Sequence, residues 1–209
     1  METWTPENLL ASGRSFMDSR VLLTAVELDL FSLLDGSEMT LEEVIVEGGL
    51  SSRGAAILLD GLAALGLLEK RGGRYAVAPA ALPLSSRHPQ SVLPMMRHTA
   101  SLWHRWSELT AIVRTGKGSE RPAGAFDDPQ ELEAFIGAMH VVGREAAAHI
   151  ARVSRADGSR SLLDVGGATG TYAEAFLREY PAMKATVSDR PPVIEMARRR
   201  LEQIGRTHV

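Results

Sequence analysis

Apolar side chains recur every three to four residues through the first third of the chain, which is the spacing of amphipathic helices. The first such stretch ends at Gly36, a residue type that commonly terminates helices. Thr40 and Glu43 have the spacing of a capping box, and Ser51 or Ser52 is placed to cap the next helix. The pattern predicts helices over residues 7–35, 41–47 and 52–65.

A β-hairpin is predicted directly after these helices. Two short apolar stretches, Leu67-Leu68 and Tyr75 to Val77, flank Arg71-Gly72-Gly73. Helix, turn, helix and hairpin together have the order of a winged helix. Two further long helical patterns follow over 91–115 and 129–154, joined by a loop rich in glycine and proline.

The pattern changes after a polar linker at residues 155–161. SLLDVGG is a short apolar run that ends in glycines, TYAEAFLREY is helical, KATVSD predicts a strand and PVIEMARRRLEQIG predicts a helix. Strand–helix–strand–helix order is typical of the opening of a parallel α/β sheet. We therefore predict a mainly α winged-helix-like domain over 1–90, a helical connector over 91–154, and the first β-α-β-α portion of a Rossmann-like domain over 155–209.

Composition narrows the function classes. The 209 residues contain no cysteine, which excludes disulfides and thiolate metal sites, and no His/Asp/Glu grouping has metal-ligand spacing. No apolar run approaches the roughly 20 residues of a membrane span, and no signal peptide is evident, so we expect a cytoplasmic protein. The first 90 residues hold seven basic and twelve acidic side chains. This charge argues against nucleic-acid binding by the helix–turn–helix.

The turn between the first predicted strand and its helix carries the candidate chemistry. Gly166, Gly167 and Gly170 allow backbone angles and close approaches that a side chain would prevent. The following helix would point backbone N–H groups at a ligand above the loop, so we expect bare amides there. Asp164 and Ala168 complete the motif. The alternative is a plain strand-to-helix turn in which Asp164 only caps or bridges locally.

A second acid, Asp189, ends the next predicted strand, 25 positions after Asp164. In doubly wound folds an acid at this place accepts hydrogen bonds from ribose hydroxyls. The dinucleotide pattern G-x-G-x-x-G is absent, and an acid beside the loop suits a cationic ligand better than a pyrophosphate. S-adenosylmethionine, with its sulfonium and ammonium, fits this chemistry. The alternative is that Asp189 is a simple N-cap.

These motifs resemble those of class I small-molecule O-methyltransferases, which modify plant phenols and bacterial polyketides. The usual DVGGGTG stands here as DVGGATG, with Ala168 at the middle glycine, and the second motif stands as SDRPPVIEMA, with Arg190 in place of leucine. VLLTAVELDLFSLL and ILLDGLAALGLLEKRGGRYAVAP resemble the family's dimerisation domain, and FIGAMH resembles a helix that lines its acceptor pocket.

The resemblance implies an S-adenosylmethionine-dependent enzyme that forms a homodimer through residues 1–90 and methylates a small molecule without a metal. We expect cofactor contacts from Asp164, Gly166, Gly167, Ala168, Gly170, Asp189, Arg190 and Arg144, and acceptor contacts from Trp103, Phe135, Met139 and His140. Ordinary core packing is the alternative for Trp103, Phe135 and Met139, a structural role for His140, and a surface position for Arg144.

The family also has further strands that bring an adenine-contacting acid and a catalytic base, usually histidine. The resemblance places both after Val209, so the catalytic residue is unknown and we expect a fragment inactive by itself. The acceptor is open among phenols, polyketide hydroxyls and nitrogen atoms. Two other classes also stay open: a homologue that binds the cofactor without methylating, and a winged-helix regulator or pure dimerisation module.

Overall fold

The structure is a computed structural model, and it describes residues 4–118 and 128–203. The chain divides into two compact units, Met1–Trp103 and His104–Val209, and each is described by itself. Most of the predicted loop between the two long helices, residues 119–127, lies outside the described residues, as do positions 204–205 of the last predicted helix. The predicted domain limits of 1–90, 91–154 and 155–209 stay predictions.

The predicted helix over 7–35 is wrong as a single element, because three helices occupy this stretch. They are α1 (Pro6–Arg14), α2 (Phe16–Glu27) and α3 (Leu30–Leu34). Asp29, between α2 and α3, has a left-handed backbone with φ of 53°, and its carboxylate accepts a hydrogen bond from the Ser32 hydroxyl at 2.6 Å. Apolar spacing continued across this break because the side chains on both sides contact the same core.

The next two helices and the hairpin lie close to their predicted positions. α4 spans Leu41–Gly48 and α5 spans Ser52–Ala64. The capping box is present, with the Glu43 N–H donating to Thr40 Oγ1 at 3.2 Å and the Thr40 N–H donating to Glu43 Oε2 at 2.7 Å. Strands β2 (Leu68–Arg71) and β3 (Arg74–Val77) pair antiparallel around Gly72 and Gly73, whose φ angles are both positive.

A third strand, β1 (Met39–Thr40), was not predicted, because a strand of two residues is too short to show an alternating pattern of apolar and polar side chains. It pairs antiparallel with β3, so the sheet order is β1-β3-β2. A short 3-10 helix, Pro79–Leu84, follows the hairpin. The sheet and helices of this unit enclose one apolar core, whose most deeply buried large side chains are Val26, Leu30, Phe31, Leu34, Val44, Leu59 and Leu62.

The predicted helix over 91–115 is divided at Glu108 into α6 (Leu93–Ser107) and α7 (Leu109–Thr115). α8 spans Pro129–Val153 and begins at Asp128, whose side chain accepts from the Gln130 N–H at 2.8 Å. Small residues face inward along α8, among them Gly143, where an added Cβ would lie 3.5 Å from the Tyr172 ring. This lets the helix that carries Tyr172 pack closely against α8.

The predicted α/β segment is present. Its elements are β4 (Ser161–Val165), α9 (Thr171–Glu179), β5 (Lys184–Ser188) and α10 (Pro191–Gln203). The two strands pair in parallel, with Val165 opposite Ser188. Ala185 and Val187 of β5 are buried with Ala173 of α9. Within the described ranges, no helix has the length and apolar character of a membrane span.

Candidate cofactor site

The carboxyl ends of β4 and β5 meet at one edge of the sheet, the place where open α/β sheets bind ligands. The loop of residues 166–170 leaves β4 at this edge and turns into α9. Gly166 and Gly170 have φ of +70° and +74°, a region that glycine enters without strain. Ala168 also has a positive φ, of 49°, so the loop is bent at three of its five positions.

Most backbone N–H groups of the loop donate hydrogen bonds to other atoms of the protein. The expectation of bare N–H groups in the loop is therefore wrong for these positions. The N–H groups of Gly166 and Gly167 both donate to the Ser188 carbonyl, at 2.7 and 3.4 Å. The Gly170 N–H donates to the Gly167 carbonyl at 2.7 Å, and the Ala168 N–H donates to Asp189 Oδ2 at 3.0 Å. These bonds fix the shape of the loop, and shape is therefore its main contribution to a binding site.

Two adjacent glycines are present for different reasons. An added Cβ on Gly166 would meet no atom within 4 Å, so the space beside this residue is open. An added Cβ on Gly167 would lie 2.7 Å from Asp164 Cγ and 2.8 Å from Val187 Cγ1. Gly166 is required by its backbone conformation and leaves room for a ligand, whereas Gly167 is required by the packing of the loop on the strands.

Asp164 lies on β4 directly beneath the loop and is half-buried. Its Oδ2 accepts from the Ala173 N–H in the first turn of α9 at 3.3 Å, which is the local capping role kept as an alternative above. Burial raises the pKa of Asp164 above its ordinary value of 3.8, and the charge of Asp189 adds to this, although the Ala173 hydrogen bond opposes it. A cation bound nearby would relieve this unfavourable environment.

Asp189 follows β5 and turns its carboxylate toward the loop. Oδ2 accepts from the Ala168 N–H, and Oδ1 accepts from the Arg190 N–H at 2.7 Å. Each oxygen of an ionised carboxylate can accept more than one hydrogen bond. The Arg190 carbonyl accepts from the first turn of α10, which begins at Pro191. The Arg190 side chain itself is exposed.

Phe135 of α8 and Ala168 of the loop belong to one small apolar cluster. Both pack against its buried residues, which are Leu132, Ile136 and Val193. The methyl group of Ala168 is thus in contact with other apolar side chains, which helps to offset its left-handed backbone. The cluster joins the loop to the helix that the sequence predicts to face the acceptor.

His140 follows Phe135 on α8 and contacts the start of α9. Its Nδ1 is 2.8 Å from Thr171 Oγ1, which is itself 3.3 Å from Thr169 Oγ1. The pKa of His140 is lowered from its ordinary 6.5 to about 4, mainly by burial and also by the charges of Arg200 and Arg144, while Glu174 opposes the shift. His140 is therefore neutral near pH 7 and is suited to hold a hydroxyl.

Sequence reasoning missed a charged group beneath the loop. Glu174 of α9 is 6% exposed and forms ion pairs with Arg200 and Arg178. Arg200 Nη1 also donates to the Thr169 carbonyl at 3.2 Å. The available signal was weak: Glu174 lies three positions before Leu177, on the face of α9 where apolar residues are expected.

The remaining predicted residues are placed as follows. Met139 is partly exposed on α8, and Arg144 is half-buried one turn after His140, close enough to affect its pKa. Trp103 belongs to the N-terminal unit, where the Arg20 guanidinium carbon is 5.5 Å from its ring centroid.

The structure brings Asp164, the loop, Asp189 and Phe135 together; the acceptor roles stay predictions. In the described part of the chain no cluster of His, Asp or Glu could hold a metal.

Two family models match the chain. The O-methyltransferase dimerisation domain matches residues 10–85, and the O-methyltransferase domain matches residues 106–209. The chain thus has a helical N-terminal dimerisation domain followed by a methyltransferase domain, and it belongs to the O-methyltransferase family.

The named relatives are methyltransferases, one acting on oxygen and one on nitrogen by name. The chain is 37% identical over 193 residues to the tetracenomycin polyketide synthesis 8-O-methyl transferase TcmO of Streptomyces glaucescens, covering 89% of this chain and 57% of the relative. It is 28% identical over 220 residues to the N,N-dimethyltransferase OxyT of Streptomyces rimosus, covering 97% of this chain and 64% of the relative. The chain therefore spans less than two thirds of the length of either relative.

Solved structures share the fold. The human N-acetylserotonin methyltransferase in complex with S-adenosylmethionine superposes with a TM-score of 0.77 at 26% identity, over 95% of this chain and 63% of that one.

Proposed function

We propose that this protein transfers a methyl group from S-adenosylmethionine to a hydroxyl of a small aromatic or polyketide-like molecule. The observation that carries the proposal is the pair of carboxylates, Asp164 and Asp189, on either side of a glycine loop at the carboxyl edge of a parallel sheet. Membership of the O-methyltransferase family supports the reaction class, and the name of the relative TcmO supports a polyketide-like acceptor.

The residues present fit the cofactor. Asp189 has acceptor capacity left after its two backbone hydrogen bonds, so it can bind ribose hydroxyls. Asp164 provides negative charge for a cationic amino-acid end, and the open space beside Gly166 gives the ligand access to the backbone. Gly167, Ala168, Gly170 and Arg190 supply the shape of the site, and we assign Arg144 to the methionine carboxylate.

When bound, S-adenosylmethionine supplies an electrophilic methyl group on a positively charged sulfur. The work of this chain is then to hold and orient its ligands, which can account for a large part of a rate enhancement. Phe135, Met139 and His140 of α8 are assigned to the acceptor, and the acceptor role of Trp103, which belongs to the N-terminal unit, stays a prediction from the sequence. Neutral His140 orients the Thr171 hydroxyl and, with its low pKa, is a poor general base at neutral pH.

The N-terminal domain is assigned to a homodimer contact. α4, α5 and the β2–β3 hairpin have the order of a winged helix, but the excess of acidic residues disfavours a nucleic-acid partner. Trp4, Leu9 and Leu10 on and before α1 expose large apolar surfaces, as do Phe16 and Met17 at the start of α2. An apolar surface of this kind is typical of a protein–protein contact.

Calorimetric titration of S-adenosylhomocysteine into the intact gene product tests the cofactor assignment. Asp189→Asn should weaken binding by about tenfold or more, because a hydrogen bond to a charged acceptor becomes one to a neutral acceptor. Asp157→Asn, which removes the same charge from an exposed position in the same unit, should leave binding unchanged. Absence of binding to the unaltered protein would refute the proposal.

Methyl transfer itself is tested with radiolabelled S-adenosylmethionine and a panel of phenols, polyketide alcohols and amines. Labelled product with a hydroxyl acceptor supports the proposal. Product only with an amine would assign the chain to nitrogen methylation, and cofactor binding without any product would favour a homologue that has lost the reaction.

A further inference from the structure

The first turn of α9 buries a charge directly beneath the cofactor loop. The Glu174 side chain is 8% exposed, and its two oxygens form ion pairs with Arg200 of α10 and Arg178 of α9. A buried ion pair is weak evidence for stability, because apolar residues of similar size often serve as well. The position of Glu174 therefore needs an explanation other than folding stability.

Arg200 connects this buried charge to the loop. Its Nη2 pairs with Glu174, and its Nη1 donates to the Thr169 carbonyl at 3.2 Å. Only 20% of the Arg200 side chain is exposed, so the guanidinium is held in a defined place. A planar guanidinium can bind a carboxylate and a carbonyl at once in fixed directions, whereas the flexible ammonium of lysine cannot.

The same loop segment is also linked to α8. The Thr169 hydroxyl lies 3.3 Å from the Thr171 hydroxyl, which lies 2.8 Å from His140. Thr169, which is 7% exposed, is thus linked to α10 through its carbonyl and to α8 through its side chain. These contacts involve residues that contribute no atom to the cofactor site as assigned above.

We propose that Arg200 is a positioning residue, which fixes the Thr169–Gly170 end of the loop in its cofactor-binding conformation before the ligand arrives. Glu174 orients Arg200, and Arg200 in turn holds the loop. The ligand's identity rests on the function proposed above, but the positioning of the loop does not. Arg178 is a natural control, because it pairs with the same carboxylate, is 67% exposed and makes no contact with the loop among the described hydrogen bonds.

Two variants separate positioning from stability. Arg200→Met keeps the aliphatic stem and removes the guanidinium. The double variant Glu174→Leu/Arg200→Met removes both buried charges, a change that leaves folding intact in many proteins. Amide hydrogen exchange of the ligand-free protein, followed on peptides covering 164–173, reports the loop directly. Titration with S-adenosylhomocysteine reports the site.

Both Arg200 variants should exchange the loop amides faster, and both should bind S-adenosylhomocysteine about tenfold more weakly, equivalent to about 1.4 kcal/mol. Arg178→Met should match the unaltered protein in both measurements. Arg200→Lys should show the same fast exchange of the loop amides and the same weak binding, because lysine lacks the planar set of donors that a guanidinium has. Full recovery by lysine, or unchanged loop exchange in a folded double variant, would overturn the proposal. If the unaltered protein binds no S-adenosylhomocysteine, the function fails, and the exchange measurement alone decides the role of Arg200.

Discussion

The N-terminal unit and the loop region of the second unit differ in the polar groups that they bury. In the N-terminal unit, the buried side chains of the described residues that carry a polar group are neutral and bear hydroxyls, namely Ser32, Tyr75 and Ser85. Around the loop, Thr169, Thr171 and the charged Glu174 are buried within six consecutive positions. A neutral hydroxyl with a partner is inexpensive to bury, whereas a carboxylate requires nearby cations.

Apolar packing and buried polar contacts have different roles in the interior of this protein. Phe31 and its neighbours exclude water from one apolar core, and such burial stabilises a fold without fixing any single atom with high accuracy. Hydrogen bonds and ion pairs have preferred directions, so the groups around Thr169 define the positions of particular backbone atoms. The N-terminal unit is organised for stability, and the loop region for a fixed shape.

The largest expected effect is on the apolar core. Phe31 has no exposed surface, and Phe31→Ala should lower the free energy of unfolding by about 3–5 kcal/mol, through lost burial and the cavity that remains. Val46→Ala on α4, where the side chain is 79% exposed, should change it by less than about 0.5 kcal/mol. Urea denaturation measures both. Similar losses for the two variants would contradict the assignment of the core.

Gly167→Ala tests whether loop shape depends on packing. The new methyl group would lie 2.7 Å from Asp164 Cγ and 2.8 Å from Val187 Cγ1, so the loop must shift, at a cost of about 1–3 kcal/mol. We expect reduced stability together with S-adenosylhomocysteine binding weaker by about tenfold. Gly13→Ala on α1, where nothing lies within 4 Å, should instead stabilise by about 0.5–1 kcal/mol. Wild-type binding by Gly167→Ala would show that the loop tolerates the shift.

Asp164→Asn separates stability from binding. The folded protein raises the pKa of Asp164, so the folded state holds its proton more tightly than the unfolded state. The contribution of Asp164 to stability therefore falls as pH rises from 3.8 through the raised pKa, and at pH 7 the charged form is unfavourable. Asparagine should leave stability equal or higher at pH 7 and weaken cofactor binding. A clear loss of stability at pH 7 would show that the charge itself supports the fold.

At pH 7 the smallest expected effect is that of substituting His140. Because its pKa is lowered from 6.5 to about 4, the unfolded state takes up a proton first as the solution is acidified. Stability should therefore decline as pH falls from 6.5 toward 4. His140→Gln can keep a hydrogen bond to Thr171 and should flatten this decline, measured by urea denaturation at neutral and mildly acidic pH. His149→Gln, exposed on the same helix, should leave it unchanged.

Local signals predicted some elements well and failed at others. The Gly72-Gly73 turn and the capping box of Thr40 each depend on neighbouring residues only, and both are confirmed. Apolar spacing did not reveal the break at Asp29, because side chains before and after it share one core. β1 was too short to detect, since its pairing with β3 joins residues more than 30 positions apart.

The sequence by itself determined the order of strands and helices in the α/β segment, and it placed Asp164, the glycines and Asp189 at one edge, because strand ends and glycine turns are encoded in consecutive residues. Tertiary structure alone decided how the loop is held. It turned the loop amides inward to Ser188 and Asp189, and it brought Arg200 to Thr169 across 31 positions. A charged residue on a helix has many possible partners in a sequence, and only the folded chain, which excludes water around Glu174, determines that Arg200 and Arg178 are its partners.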